Sequence, residues 1–169
     1  MKYAIPFTAL VGLLSACATL NVAPSPYRPG TYNTELPIEY GYLDNCDALL
    51  KHRNSCETRF LGNNATTERS LWWMAVYRAA EVGVAANYSY MTIRSPFPKM
   101  DTVVIKGKRQ GSVGSVEVTY FREIPDIRAN PFAVYKTHVL LQRNGANPNA
   151  PPPQEALVTG ADRAAAGKL

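Results

Sequence analysis

The residue pattern that points most directly to a defined chemistry is Leu-Ser-Ala-Cys at residues 14–17. It follows Lys2 and a short apolar stretch, which together have the layout of a secretory signal. The stretch is shorter than the ~20 residues that a membrane-spanning helix needs, so we expect it to be removed. In bacterial lipoproteins the thiol of such a cysteine receives a diacylglyceryl group, and the chain is cut just before it. The sequence therefore predicts a covalent lipid on Cys17.

The alternative interpretation of this segment is an ordinary signal peptide with Cys17 beside the cut, because Ala16, Cys17 and Ala18 also resemble a small-x-small cleavage site. We prefer the lipoprotein, since Leu14 fits the position that precedes the two small residues. Two or three acyl chains would hold firmly, at about 0.8 kcal/mol for each buried CH₂. Ala18 stands where an Asp would mark retention at the inner membrane. The periplasmic leaflet of the outer membrane is therefore the expected location.

The other two cysteines, Cys46 and Cys56, are expected to form a structural disulfide, because an exported chain meets an oxidising compartment. Closing this loop would stabilise the fold by about 2 to 3 kcal/mol in the chain-entropy model. A redox pair would normally have C-x-x-C spacing. A metal site has few ligands to draw on, since His52 and His138 are the only histidines. We expect no metal and no cofactor apart from the lipid on Cys17.

Catalytic signatures are missing from the sequence, which has no Gly-x-Ser-x-Gly elbow and no phosphate-binding loop. Glu117 alternates with Val116 and Val118, so its carboxylate is predicted to face solvent. His138 lies on a similar alternating run and is expected at the surface or in a structural hydrogen bond. These residues do not form the convergent set that acid–base catalysis needs, and we predict that the protein is not an enzyme.

The formal net charge of +5 is scattered along the chain, with one local cluster at residues 106–109. A nucleic-acid-binding protein would concentrate its basic residues on one face, so this class is not expected. The cluster predicts a solvated hairpin turn. Attraction to anionic phospholipid or lipopolysaccharide head groups is the functional alternative.

The chain divides into four parts by composition. Residues 1–16 are the signal segment, and residues 17–36 are a Pro-rich tether that starts at the lipidated cysteine. At roughly 3 Å per residue, the tether could lift a domain about 50 Å from the membrane. Residues 37–143 form one domain. Residues 144–169 are rich in Pro and Ala, and we expect them to be disordered because they carry few large apolar side chains.

Within the domain, the strongest predicted element is a helix from about Thr67 to Asn87 with an apolar stripe and a threonine cap. Strand-like runs are predicted at 38–42, in a hairpin within 46–61, and at 88–94, 102–106, 113–124 and 132–142. One main helix packed on an antiparallel sheet of about four to six strands is the simplest solution. The predicted fold class is α+β.

The middle of the chain resembles a family of small proteobacterial outer-membrane lipoproteins without an assigned activity. The resemblance rests on Gly41-Tyr42, then Phe60-Leu61-Gly62-Asn63, then Tyr77-Arg78-Ala79-Ala80-Glu81, with Tyr88-Ser89-Tyr90 after the helix. It covers about residues 41–94, and the cysteines in a longer first hairpin depart from it. The resemblance implies an envelope lipoprotein with an α+β core, and it supplies no catalytic residues.

Two adjacent tryptophans on the predicted helix suggest an interface. Neighbouring helical positions point about 100° apart, so both rings cannot face the same core. We expect Trp72 to be buried and Trp73, which shares its side with Tyr77, to form a contact surface. The overall hypothesis is a non-enzymatic lipoprotein, anchored by its lipid, that binds a protein partner in the envelope. The alternatives are a periplasmic module for a small or glycan ligand, marked by an aromatic-lined groove with convergent polar groups, and an enzyme.

Overall fold

The computed structural model describes residues 30, 39–44, 46–94, 99–105, 107–126, 132–144 and 150–168. The predicted lipidation site, Cys17, lies outside these residues, as do the signal segment and all of the tether except Gly30. In the described part of the chain, no helix has the length and apolar character needed to span a membrane.

The described residues form six strands, one long helix and several short helical segments. The strands are β1 (Gly41–Tyr42), β2 (Ser55–Asn63), β3 (Tyr90–Ile93), β4 (Lys99–Ile105), β5 (Lys108–Phe121) and β6 (Val134–Lys136). The helices are α1 (Cys46–Leu49), α2 (Glu68–Ala85), α3 (Thr137–Asn144) and α4 (Gly160–Ala165), with a 3₁₀ turn at Gln154–Ala156. The predicted α+β class, with one main helix on an antiparallel sheet of about four to six strands, is confirmed, and the sheet has six strands.

The sheet is built around β5, whose 14 residues make it the longest strand. The strand order is β1-β2-β5-β3-β6, and all pairings are antiparallel. One edge of β5 pairs with β2 along residues 111–119. The other edge pairs with β4 in its first half and with β3 in its second half. Because of its length, β5 connects every part of the sheet.

Helix α2 packs on one face of this sheet. Its N-terminus is capped by the Thr67 side chain, which accepts a hydrogen bond from the backbone N–H of Ser70 at 3.1 Å. Two buried hydroxyls then join sheet and helix: Thr58 Oγ1 donates to the Ala75 carbonyl at 2.8 Å, and Tyr120 Oη donates to the Ala79 carbonyl at 2.9 Å. The main core lies between this helix and the inner face of the sheet.

Two sequence-predicted elements differ from the structure. The segment 46–61 does not form its own hairpin, since it contains α1 and most of β2, which pairs with β1 and β5. The run 132–142 forms only the short strand β6 before α3 begins. Thr137 and Leu140 are fully buried and stand three residues apart, which is a helical spacing that the polar–apolar alternation concealed.

The prediction of a disordered tail is wrong for residues 150–168, which we call the C-terminal strap. Leu157 forms a bridge with Tyr135 of β6, and the Val158 N–H donates to the Val134 carbonyl at 2.8 Å. Arg163 of α4 is only 6% exposed. The segment has few large apolar side chains, as composition indicated, but the edge of β6 offers it backbone hydrogen bonds that composition cannot reveal. Residues 145–149 lie outside the described part.

The predicted disulfide between Cys46 and Cys56 is confirmed, with 5.5 Å between the two Cα atoms. It joins α1 to β2 at the edge of the core. Replacing both cysteines with alanine should lower the free energy of unfolding by about 2 to 3 kcal/mol, because the unfolded chain gains the entropy of an open loop. Urea unfolding of the variant and the wild type would measure this loss. An unchanged unfolding midpoint would contradict the stabilising role.

Candidate functional site: a cleft at the end of strand β5

The contact surface predicted on α2 is not available at Tyr77. This side chain is 1% exposed, and its hydroxyl donates a hydrogen bond to the Ala150 carbonyl of the C-terminal strap at 2.9 Å. Burial raises the pKa of Tyr77, so the hydroxyl stays protonated and remains a donor at neutral pH. The prediction of Tyr77 as a contact residue is therefore wrong, because the strap occupies the place that was assigned to a partner.

The expected division between a buried Trp72 and an exposed Trp73 is also absent. Both side chains are partly buried against the main core, and their ring centroids lie 4.0 Å apart. Both indole Nε1 atoms are shielded from solvent and have no hydrogen-bond partner among the described residues. Since α3 and the sheet also pack against α2, the helix is enclosed on most of its circumference. It does not present an open tryptophan surface.

The charged residues of the Tyr-Arg-Ala-Ala-Glu segment have a structural role. Arg78 Nε lies 2.9 Å from Asp44 Oδ2, and the Asp44 side chain is fully buried. The Arg78 guanidinium also stacks 4.3 Å above the centre of the Tyr42 ring and lies 3.4 Å from Glu81 Oε2. These contacts anchor α2 to the chain after β1, and they occupy the Arg78 guanidinium.

The outer face of the sheet, opposite α2, carries exposed charges. Glu57 and Glu117 are direct neighbours on β2 and β5, and Arg59 pairs with Glu57 at 2.6 Å. A small pocket of about 180 Å³ lies beside them. Glu117 and His138 are both exposed, which confirms the expectation of solvent-facing side chains. Such exposed pairs contribute little to stability, and the pocket is small for an organic ligand.

A larger cleft of about 380 Å³ lies where β5 ends, and we call it the β5-end cleft. Its lining comes from four separate parts of the chain: Asn54, Tyr88, the segment 120–126 and Lys168. The volume falls within the range of small-ligand pockets, roughly 300 to 1,000 Å³. Sequence reasoning did not identify this cleft, because residues so distant in the chain share no local pattern.

Hydrogen bonds and ring packing within the domain fix the positions of the residues at the floor of the β5-end cleft. The Tyr88 N–H donates to the Gly83 carbonyl at the end of α2, and the Tyr88 ring packs 5.5 Å from the Tyr120 ring. Asn54 Nδ2 donates to the Tyr120 carbonyl at 3.1 Å, and the Tyr120 N–H donates back to the Asn54 carbonyl at 2.8 Å. The aromatic and amide groups of the cleft are therefore positioned by backbone contacts.

Arg122 is the charged group best placed to bind a ligand in this cleft. Its guanidinium lies 5.6 Å from the centre of the Tyr88 ring, within the range of a cation–π contact. It makes no hydrogen bond or ion pair to any residue that the structure describes. Lys168 lies 4.0 Å from Glu123, whose side chain is 85% exposed, so this pair is weak. The arrangement offers donors and aromatic surface, and its lining contains no Ser, Cys or His.

The C-terminal strap holds one wall of the cleft. Arg163 Nη1 donates to the carbonyl of Pro125, a lining residue, at 2.7 Å. Nearby, Lys136 Nζ lies 3.0 Å from Asp162 Oδ1. The Asp162 carboxylate also accepts the Thr159 N–H at 2.8 Å, which completes a capping box at the start of α4. The strap thus fixes the loop that carries Arg122.

The attachment of the strap should weaken in acid. The Thr159 N–H, and then Lys136, lower the pKa of Asp162 from its ordinary 3.8 to about 2. Since the pKa is lower in the folded state, the stabilisation is complete above about pH 4 and is lost as the pH falls towards 2. Protection of the α4 amides from hydrogen exchange, corrected for the intrinsic rate at each pH, should fall across this window, and an Asp162→Asn variant should not show the change. Equal acid sensitivity of both proteins would contradict this assignment.

Comparisons with protein-family models, with curated proteins and with solved structures found no match. Among the described residues, no group of three or more His, Cys, Asp or Glu side chains is arranged to hold a metal ion.

Proposed function

We propose that the protein is a lipid-anchored envelope lipoprotein, facing the periplasm at the outer membrane, that acts by binding and uses the β5-end cleft as its contact site. The observation that carries the proposal is the exposed Arg122 guanidinium, which is held over Tyr88 in a cleft of about 380 Å³. Among the described residues Arg122 has no charged partner, and an arginine available in this way beside an aromatic ring is typical of recognition surfaces.

Two further observations support an exported, anchored protein. Residues 14–17 follow the pattern of a lipid-modified cysteine after a short apolar signal. The Cys46–Cys56 disulfide fits an oxidising compartment, where such bonds persist. The resemblance to outer-membrane lipoproteins stays a hypothesis, and it agrees with this location.

The cleft lining favours binding over catalysis. The carboxylate of Glu123 is almost fully exposed, whereas a general acid usually needs a shielded site that raises its pKa. The alternative function, a module for a small or glycan ligand, gains support from the same cleft. Tyr88 and Phe121 supply aromatic surface, and Asn54 and Arg122 supply convergent polar groups.

Site-specific crosslinking in cells would test the contact site. A photoreactive amino acid in place of Glu123 should give a discrete crosslinked product, because this side chain lies at the cleft and is exposed. Arg69, exposed in the first turn of α2, is the matched control position and should give none. Identical products from both positions, or no product from position 123, would argue against the cleft as the contact site.

The anchor has a separate test. A Cys17→Ala protein should lack the acyl group and leave the membrane fraction, while its Cys46–Cys56 disulfide should still form. Labelling with radioactive palmitate and fractionation would show this. Label retained by the variant would contradict the lipid attachment at Cys17.

A further inference from the structure

We infer that the β5-end cleft recognises a peptide-type carboxylate, in which a single carboxylate group lies next to an amide and a small apolar side chain. The inference rests on the proposed function only in taking this cleft as the binding site. It adds the chemical class of the ligand, which follows from the charges, the hydrogen-bonding groups and the apolar surface of the lining.

The anionic group is assigned to Arg122. Its guanidinium presents parallel N–H donors that match the two oxygens of a carboxylate. No described residue pairs with this group, so its donors remain available to a ligand. The Tyr88 ring beneath it restrains the side chain, which reduces the conformational entropy that binding would otherwise cost.

The charged residues of the cleft favour a ligand that carries a single negative charge. Arg122 and Lys168 supply two positive charges, and Glu123 and Asp126 supply two negative charges in the same lining. Lys168 already lies beside Glu123. Because these four charges sum to zero, a bound phosphate dianion would leave the cleft with two excess negative charges, whereas a carboxylate would leave only one. A planar group with one charge fits this environment better than a phosphate.

The neighbouring groups define the rest of the ligand. The Asn54 amide uses Nδ2 to bind the Tyr120 carbonyl, and its Oδ1 has no partner among the described residues, so this oxygen can accept an amide N–H. Phe121 is half-buried and Ile124 is 8% exposed, so the wall beside them offers a small apolar surface. A carboxylate, an N–H and a small apolar group occur together at the end of a peptide chain.

Calorimetric titration of the purified full-length lipoprotein in detergent would test this inference. The probes are N-acetyl-alanyl-alanine with a free carboxylate, the same peptide as its C-terminal amide, and inorganic phosphate. We expect the free acid to bind at least tenfold more tightly than the amide and to displace phosphate. Equal binding of acid and amide, or tighter binding of phosphate, would overturn the inference.

Matched variants assign the effect to the cleft. Arg122→Gln should weaken binding of the free acid at least tenfold and leave the amide unaffected, whereas Arg122→Lys should weaken the acid less because it keeps the charge. Arg94→Gln is the control, since Arg94 is an exposed arginine on the outer-face pocket. A similar loss in Arg94→Gln would overturn the assignment. Unchanged thermal unfolding of all three variants would show that each remains folded.

The two proposals fail separately. Crosslinking from position 123 without a preference for the free acid would keep the contact site and remove the carboxylate inference. Tight binding of the free acid without a crosslinked product would keep the ligand class and remove the partner contact in cells.

Discussion

Replacing Asp44 with alanine is expected to lower the free energy of unfolding by about 3 kcal/mol. The Asp44 side chain is fully buried and accepts hydrogen bonds from Arg78 Nε at 2.9 Å and Nη2 at 3.3 Å. Removing one partner of a buried pair leaves the other charge poorly compensated, which typically costs about 3 to 5 kcal/mol. We expect a loss at the lower end of this range, because Arg78 is 14% exposed and Glu81 still partly balances its charge. Urea unfolding would measure the loss.

The control for this prediction is Arg59→Ala. Arg59 pairs with Glu57 at 2.6 Å, and the Glu57 side chain, whose charge remains in this variant, is 28% exposed, so water can solvate it. The expected loss is below about 1 kcal/mol. If both variants lost the same stability, burial of the Asp44–Arg78 pair would not explain the effect.

Replacing Gly111 with alanine should destabilise the sheet by about 3 kcal/mol or more. A Cβ atom at this position would lie 2.0 Å from the Gly62 carbonyl oxygen and 3.1 Å from its carbon. Both are backbone atoms of β2, so neither can rotate away, and β2 and β5 would have to separate. We expect the urea midpoint to fall with an unchanged slope if the variant keeps the native fold.

Gly160→Ala is the matched substitution at a site with free space. A Cβ atom there would meet nothing within 4 Å, and the residue opens helix α4. The substitution should stabilise the protein by about 0.4 to 1 kcal/mol, because alanine restricts the unfolded chain. A Gly111→Ala protein as stable as the wild type would show that β2 and β5 can separate at this point without cost.

Local sequence patterns predicted the elements that depend on local chemistry. A threonine cap and the long apolar pattern after it predicted helix α2, which the structure places at Glu68–Ala85 with Thr67 as the cap. The alternation after residue 113 predicted most of β5. The spacing of Cys46 and Cys56, together with the expected compartment, predicted their disulfide. In each case, the residues that decide the outcome lie close together in the chain.

The predictions were wrong where contacts between residues far apart in the chain decide the structure, because the local sequence pattern does not contain those contacts. The alternating run 132–142 predicted a strand, but the Thr137 hydroxyl donates a 2.7 Å hydrogen bond to the Tyr88 carbonyl and Thr137 starts helix α3. Tyr77 lay on the predicted outer side of its helix, yet the strap covers it. These contacts join residues separated by 49 and 73 positions, and no local window contains both partners.

The sequence by itself determined the fold class, the long helix, the disulfide and the expectation of a lipid anchor, because these follow from residue spacing and the chemistry of single side chains. Only the tertiary structure decided that residues 150–168 pack on the domain and that the β5-end cleft exists. The physical reason is that the edge of β6 and the surroundings of Arg122 are made by backbone and side chains from distant segments. The hydrogen bonds and the buried surface at these two places form only when those segments pack together.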